Sequence, residues 1–104
     1  MREDTGLSAE TVAQIREGLS RFPEVERAVL FGSRAKGTFR QGSDIDLALV
    51  GEGVDWRLLG RIEMALDDLM LPYSFSLIEL SSVTNEEVAA HVRRVGKTFY
   101  ERSV

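Results

Sequence analysis

Residues 30–47 read LFGSRAKGTFRQGSDIDL, and this stretch has three parts. An apolar run ends at Gly32-Ser33, a polar linker follows, and Asp44-Ile45-Asp46 opens a second apolar run that ends at Val50. Apolar runs rich in branched residues and separated by glycine-containing polar segments are typical of strands joined by turns. The stretch therefore predicts a strand, a tight glycine turn, a loop and a second strand.

Gly32 and Ser33 have the chemistry of a turn that holds phosphate. Gly32 lets the backbone bend sharply and approach a ligand closely, because it has no Cβ in the way. If Ser33 opens a short helix, the backbone N–H groups at that point are available to phosphate oxygens. Among the linker cations, Arg34, Lys36 and Arg40, the alternatives are a solvated loop or contact with a triphosphate, and Arg34, beside the turn, is the strongest candidate.

Asp44 and Asp46 are two residues apart at the start of the second apolar run. On a strand such residues point to the same face, and two neighbouring carboxylates are unfavourable unless a cation lies between them. Mg²⁺ typically takes one or two protein carboxylates and completes its coordination with substrate phosphates and water. The alternative is turn chemistry at Ser43-Asp44, but Asp46 lies inside the apolar run and favours a metal site.

The spacing of these residues also resembles a known signature. Gly32-Ser33, ten further residues and then Asp44-Ile45-Asp46 are similar to the motif of the DNA polymerase β-like nucleotidyltransferases. The Gly-Ser-Arg-Ala-x-Gly segment most resembles the minimal nucleotidyltransferases, small bacterial and archaeal proteins often paired with a HEPN-domain toxin. The resemblance extends over nearly the whole chain. It implies a nucleotidyltransferase fold, catalytic and Mg²⁺-binding roles for Asp44 and Asp46, and nucleotide binding by Gly32, Ser33, Arg34 and Ser43.

The chain departs from that family at the third acidic residue of the metal site. The resemblance places this ligand on a later strand, at Ser76, and a serine is neutral and a poor ligand for Mg²⁺. Glu79 lies three residues further on, and a strand would turn it to the opposite face. The sequence therefore predicts nucleotide binding, while turnover depends on whether water, substrate or a partner supplies the missing ligand.

Two functions remain open on this basis. The first is an enzyme that binds a Mg²⁺-nucleoside triphosphate and transfers AMP to a hydroxyl. The toxin–antitoxin resemblance implies that this hydroxyl belongs to a tyrosine of a HEPN-type toxin encoded nearby. The second is a catalytically impaired antitoxin or adaptor that masks its partner by contact. Transfer to small molecules such as aminoglycosides is a third, weaker interpretation, because the chain leaves little room for an acceptor site.

Length and composition set further bounds. We expect one domain over residues 1–104, since the chain has 104 residues of which 43% are hydrophobic and 29% charged. The net charge of −4 argues against a nonspecific nucleic-acid binder. The absence of cysteine, a polar N-terminus and the lack of an apolar run of roughly 20 residues predict a cytoplasmic protein without a membrane segment. The sequence leaves the oligomeric state open, including a homo-oligomer.

Hydrophobic periodicity predicts the remaining elements. Helices are expected at 8–21, 33–36, about 55–70 and 84–102, and strands at 25–31, 44–50 and 73–80. Ser8 and Asp55 are the expected N-caps of two helices, and Thr84 with Glu87 matches a capping box for the last one. This alternation predicts a small α/β or α+β sheet with helices on one face, and the resemblance implies that the carboxylates lie on the uncovered face.

Four other features have a local setting that indicates their role. Trp56 is expected to pack in the core or at its edge, since a lone aromatic is weak evidence for base stacking. His91 is expected to be a packing residue, because no second histidine or cysteine accompanies it. Gly96 suggests a close approach to a neighbouring element, and the edge at Phe99-Tyr100 is a candidate partner surface.

Overall fold

The computed structural model describes residues 5–102; residues 1–4, most of the polar N-terminus discussed above, and 103–104 lie outside it. The helices are α1 (Ala9–Ser20), α2 (Ser33–Lys36), α3 (Trp56–Asp67) and α4 (Glu86–Val95); the strands are β1 (Arg27–Phe31), β2 (Ile45–Val50), β3 (Phe75–Glu79) and β4 (Lys97–Glu101). A 3₁₀ turn, Leu80–Ser82, follows β3. The α+β class expected from the sequence is confirmed.

The four strands form one mixed sheet in the order β3-β2-β1-β4. Strand β1 is antiparallel to both β2 and β4, whereas β2 and β3 are parallel. A parallel pair needs a crossover connection, and α3 supplies it between β2 and β3. The antiparallel register of β1 and β2 places the glycine turn after β1 beside the first residues of β2.

Capping residues define where the longer helices begin. The side chains of Ser8 and Asp55 accept backbone N–H groups three residues on, at 3.1 and 2.9 Å, so both predicted caps are confirmed. Helix α4 differs, since Asn85 caps it by accepting from the N–H of Glu87 at 2.8 Å. The predicted capping box with Thr84 was therefore wrong by one residue. The side-chain oxygen of Asn85 accepts the free backbone N–H groups at the start of the helix, which Thr84 was expected to do.

Both faces of the sheet are covered. Helices α1 and α3 pack on one face, and their core comprises Ile15, Leu19, Ala28, Leu30, Ile45, Leu47, Leu49, Leu58, Ile62 and Leu66. On the other face, Val92 of α4 packs with Val29 and Ala48. The expectation that all helices share one face was thus wrong for α4. The reason is that β1 and β2 are apolar on both faces, and each face needs a cover.

The C-terminal segment is a strand and not the end of the last helix. Helix α4 ends at Gly96, where an added Cβ would lie 2.7 Å from Cγ1 of Val29, so the predicted close approach is confirmed. The chain then pairs with β1 as strand β4. Phe99 is consequently buried in the main core, and a partner surface built on it was wrong.

Trp56 lies on the surface, contrary to the core position expected from the sequence. Its side chain is 76% exposed, and the guanidinium of Arg57 lies 5.3 Å from the ring centroid. It is the first residue of α3, directly after the cap Asp55, and the stripe that faces the sheet begins at Leu58. Among the described residues, no helix combines the length and apolarity that crossing a membrane would require.

Candidate active site

Gly32 connects β1 to α2 in a conformation that other residues rarely adopt. Its φ is +77° and its ψ is −158°, and it is the N-cap of α2. A Cβ built on Gly32 would lie 2.9 Å from Cγ of Asp46 and would overlap one carboxylate oxygen. The predicted close approach at this glycine therefore exists, and the group that approaches is the carboxylate of Asp46.

Asp44 and Asp46 lie at the N-terminal end of β2. The register pairs Phe31 with Asp46 across the antiparallel ladder, which brings this carboxylate to the glycine turn. Asp46 is partly buried, and Asp44, just before the strand, is exposed. Burial raises the pKa of Asp46, and the charge of Asp44 raises this pKa further, while His91 and Arg34 oppose the shift. The two acids are thus close enough to interact.

The donor set around these acids suits a magnesium ion that shares its coordination with a substrate. Within residues 5–102 there is no cluster of three or more histidine, cysteine, aspartate or glutamate residues arranged to hold a metal. Two carboxylates with water and phosphate oxygens are enough for Mg²⁺, whereas structural zinc sites use four protein ligands. The partly buried like-charge pair is also the arrangement that a divalent cation relieves.

Ser76 lies beside Asp46 on the neighbouring strand. The parallel register of β2 and β3 pairs these two residues, and Ser76 is exposed. The same register pairs Glu79 with Leu49 without an intervening bulge, which leaves Glu79 on the opposite face. The position implied for a third acid is therefore next to the pair, and Glu79 does not substitute for it.

Arg34 is a buried anchor for the loop that precedes the acids. It is 2% exposed, and its Nη1 donates to the carbonyl of Thr5 at 2.7 Å. Its Nε and Nη2 both donate to the carbonyl of Ser43, at 3.1 and 3.0 Å. The guanidinium lies 5.1 Å from the ring centroid of Phe39 and 4.8 Å from that of Tyr73. These contacts indicate a role in holding Ser43 and the following acids, and they do not point the guanidinium at a ligand.

Replacing Arg34 by lysine is expected to lower the free energy of unfolding by about 2 kcal/mol, since an ammonium cannot reproduce the planar fork or its stacking. Urea unfolding of the purified variant measures this. Arg40→Lys is the matched control, because the side chain of Arg40 is exposed. This control should change stability by no more than about 0.5 kcal/mol. Equal stability of Arg34→Lys and wild type would contradict the anchoring role.

Ser43 and Ser33, the other predicted nucleotide-binding residues, frame the same turn. The hydroxyl of Ser43 accepts the backbone N–H of Arg40 at 2.8 Å, which closes the turn before Asp44. Ser33 is the first residue of α2 and is partly exposed. The N–H groups of Ala35 and Lys36 donate to the carbonyl of Gly32, at 3.2 and 3.1 Å, so the first N–H groups of α2 that have no acceptor within the helix are those of Ser33 and Arg34. Of these residues, Gly32 lies against the carboxylate of Asp46 and Asp44 is close enough to raise the pKa of that carboxyl, while Arg34 and Ser43 form hydrogen bonds within the loop that precedes them.

His91 belongs to the same site, and sequence reasoning missed it. Its Nε2 accepts the backbone N–H of Gly32 at 3.0 Å, and its ring meets Phe31 edge-on with centroids 6.1 Å apart. The N–H of Gly32 is therefore not available to a ligand. What Gly32 contributes to the site is the space that a Cβ would fill, which the carboxylate of Asp46 occupies. The available signal was the position of His91 between Val88 and Val92, on the side of α4 that faces the sheet.

Comparison with known proteins adds the following. A family model described as "Polymerase beta, Nucleotidyltransferase" matches residues 13–104. The "Probable protein adenylyltransferase MntA" of Haemophilus influenzae is 32% identical over 73 residues, which cover 69% of this chain and 63% of that protein. The chain thus spans less than two thirds of the length of this curated relative.

Solved structures share the fold. A toxin–antitoxin crystal structure with AMP-PNP superposes with a TM-score of 0.70 at 21% identity, covering 93% of this chain and 76% of that chain. A tri-AMPylated Shewanella oneidensis HEPN toxin in complex with MNT antitoxin gives a TM-score of 0.66 at 19% identity, covering 89% of this chain and 71% of that chain. At these identities the likeness establishes the fold alone.

Proposed function

Because the chain belongs to the polymerase beta nucleotidyltransferase family, we propose that it binds a Mg²⁺-nucleoside triphosphate and transfers the nucleoside monophosphate to a protein hydroxyl. One observation carries this proposal: the carboxylate of Asp46 lies against Gly32, at the start of α2. Metal ligand and phosphate-binding turn are then adjacent, as nucleotidyl transfer requires. The presence of both acids favours catalysis over a purely structural role.

In the proposed mechanism, Asp44 and Asp46 hold the metal, and the first N–H groups of α2 bind oxygens of the triphosphate. When bound, Mg²⁺ neutralises charge on the phosphates and the leaving pyrophosphate. Gly32 leaves room for the carboxylate of Asp46 beside the triphosphate. Arg34 holds Ser43, and thereby the backbone that enters Asp44.

The proposed acceptor is the hydroxyl of a tyrosine in a HEPN-domain toxin encoded nearby. The proposed donor of the nucleoside monophosphate is ATP. The relative described as a protein adenylyltransferase supports AMP transfer to a protein. The structural neighbours that are complexes of an MNT antitoxin with a HEPN toxin support the choice of partner. Neutralisation of a toxin by contact alone is the less favoured alternative. The cytoplasmic location and the single domain over 1–104 stay predictions.

A labelling experiment tests the proposal. The protein is incubated with labelled ATP, Mg²⁺ and the HEPN-type protein encoded beside it, and Asp44→Ala and Asp46→Ala are treated in parallel. Label on the partner that disappears in both variants supports transfer. Undiminished neutralisation of the toxin by the double variant, with no label on any protein, would instead support masking by contact.

Ser76→Asp is expected to raise the transfer rate about tenfold, because it adds a carboxylate beside Asp46 that can complete the metal site. Without Mg²⁺ the added charge repels Asp46, so the melting temperature should fall, and Mg²⁺ should restore it. Single-turnover labelling and thermal melting with and without Mg²⁺ measure both effects. Gln14→Glu, an equal added charge on the exposed side of α1, is the control. An unchanged rate would refute the account of the third ligand.

A further inference from the structure

We infer that His91 is a positioning residue for the proposed reaction: it fixes the peptide of Gly32 and, through that glycine, the carboxylate of Asp46. This inference rests on the proposed function and extends it to helix α4. Gly32 has the carboxylate of Asp46 on one side and the imidazole of His91 on its N–H. The glycine is thus held between a proposed metal ligand and a residue 59 positions away in the chain.

Glycine alone does not define the geometry of this turn. It populates positive and negative φ about equally, so the conformation of Gly32 has to be set by its contacts. The hydrogen bond of 3.0 Å to Nε2 of His91 fixes the orientation of the peptide between Phe31 and Gly32. A rotation of that peptide changes ψ of Phe31 and φ of Gly32, and unless the two changes compensate it also moves the Cα of Gly32, against which the carboxylate of Asp46 rests.

The imidazole is itself held by the fold. Val92 and Val88 of α4 pack with Val29, Phe31 and Ala48, which seats the helix on the sheet. The edge of the ring contacts Phe31, with an angle of 79° between the two ring planes. The hydrogen bond to Gly32 uses Nε2 as the acceptor, which leaves Nδ1 as the ring nitrogen that can donate. A site held by groups on rigid helices and strands keeps its geometry more accurately than one held by loops.

Simple packing does not require a histidine here. Apart from the contact of the His91 ring with Phe31, the apolar contacts of α4 are made by its valines, and His91 is only partly buried. What the imidazole adds is one acceptor at the N–H of Gly32. A substitution that keeps an acceptor at that point should therefore preserve activity, and one that keeps polarity but places the acceptor elsewhere should not.

Three variants separate these possibilities. His91→Ala removes the acceptor and should lower kcat/KM for Mg²⁺-ATP about tenfold, the factor expected for one hydrogen bond of this kind, mainly through a higher KM. His91→Gln carries an oxygen at about the same distance from Cβ as Nε2 and should remain within about threefold of wild type. His91→Asn is polar but too short, and it should resemble His91→Ala.

Two measurements accompany the kinetics. The ¹H shift of the Gly32 amide, from ¹⁵N-labelled protein, should move upfield in His91→Ala and His91→Asn and stay near the wild-type value in His91→Gln. Thermal melting shows whether the variants fold. Folded His91→Ala with wild-type KM, or equal activity of the Gln and Asn variants, would overturn the inference and leave the proposed function intact. A wild type that neither binds nor transfers nucleotide would overturn the proposed function, and the positioning role with it.

Discussion

Asp46→Asn is expected to lower the rate of transfer by at least about a hundredfold, because losing even a residue that hydrogen-bonds to a metal ligand lowers metal affinity or activity about 10–100-fold. The same change should make the metal-free protein more stable. Burial and then the charge of Asp44 raise the pKa of Asp46 above its ordinary value of 3.8. A carboxyl whose pKa is higher in the folded state disfavours folding once it is ionised. Asparagine has nearly the same shape without the charge, so the melting temperature at pH 7 should rise.

The gain in stability of Asp46→Asn should depend on pH, because it comes from removing an ionised carboxylate. Below the unfolded-state pKa the carboxyl is protonated in both states, and Asp46 then carries no penalty. The penalty develops as the pH rises through the raised pKa of the folded state. The stability gain of Asp46→Asn should therefore be largest at neutral pH and vanish in acid. Thermal melting as a function of pH measures it.

Asp44→Asn is the matched control for Asp46→Asn. Asp44 is exposed, so its own charge is well solvated, and its replacement relieves only its repulsion of Asp46. We expect a similar loss of transfer and a smaller gain in melting temperature. Mg²⁺ should stabilise the wild type and leave both variants unchanged. An Asp46→Asn protein that is less stable than wild type at pH 7 would show that the charge of Asp46 does not destabilise the metal-free fold.

Gly32→Ala should have the second large effect, a loss of about 2–3 kcal/mol in the free energy of unfolding together with loss of transfer. The backbone at Gly32 has a φ of +77°, which L-residues adopt only with strain. The new methyl group would also displace the carboxylate of Asp46. Urea unfolding and single-turnover labelling measure the two parts.

Two other glycines serve as controls for Gly32→Ala, because they separate the backbone strain of an added Cβ from its contact with neighbouring atoms. Gly37 has a φ of +82° and nothing within 4 Å of an added Cβ, so Gly37→Ala reports backbone strain alone, about 1 kcal/mol. Gly60 lies in α3 with open space around it, and Gly60→Ala should stabilise the protein by about 0.5–1 kcal/mol. Transfer by Gly32→Ala at the level of Gly37→Ala would mean that the carboxylate does not depend on the glycine.

The sequence predicted the strand–turn–strand unit because its signals are local. Branched apolar runs, a glycine followed by serine and a second apolar run that begins beside an acid pair specify the glycine turn and the two strands without long-range information. The caps Ser8 and Asp55 were found for the same reason. Each depends on residues within one turn of helix, and the hydrogen bonds that they predict are present.

The features that were missed depend on contacts distant in sequence. The valine pattern of α4 continues past Gly96 to Phe99, yet β4 forms because β1 has a free edge for it. Arg34 was interpreted as a ligand-facing cation, but its partners come from Thr5, Ser43 and two aromatic rings. Periodicity cannot show that His91 of α4 meets a glycine 59 residues earlier.

Helix α4 covers one side of the region around the two acids. It packs on Val29 and Ala48, directly beside Asp46, and Ala48 is completely buried beneath it. On the flank where β3 forms the sheet margin, Asp44 and Ser76 are open to solvent. We therefore expect the acceptor hydroxyl of the proposed transfer to approach from the β3 flank.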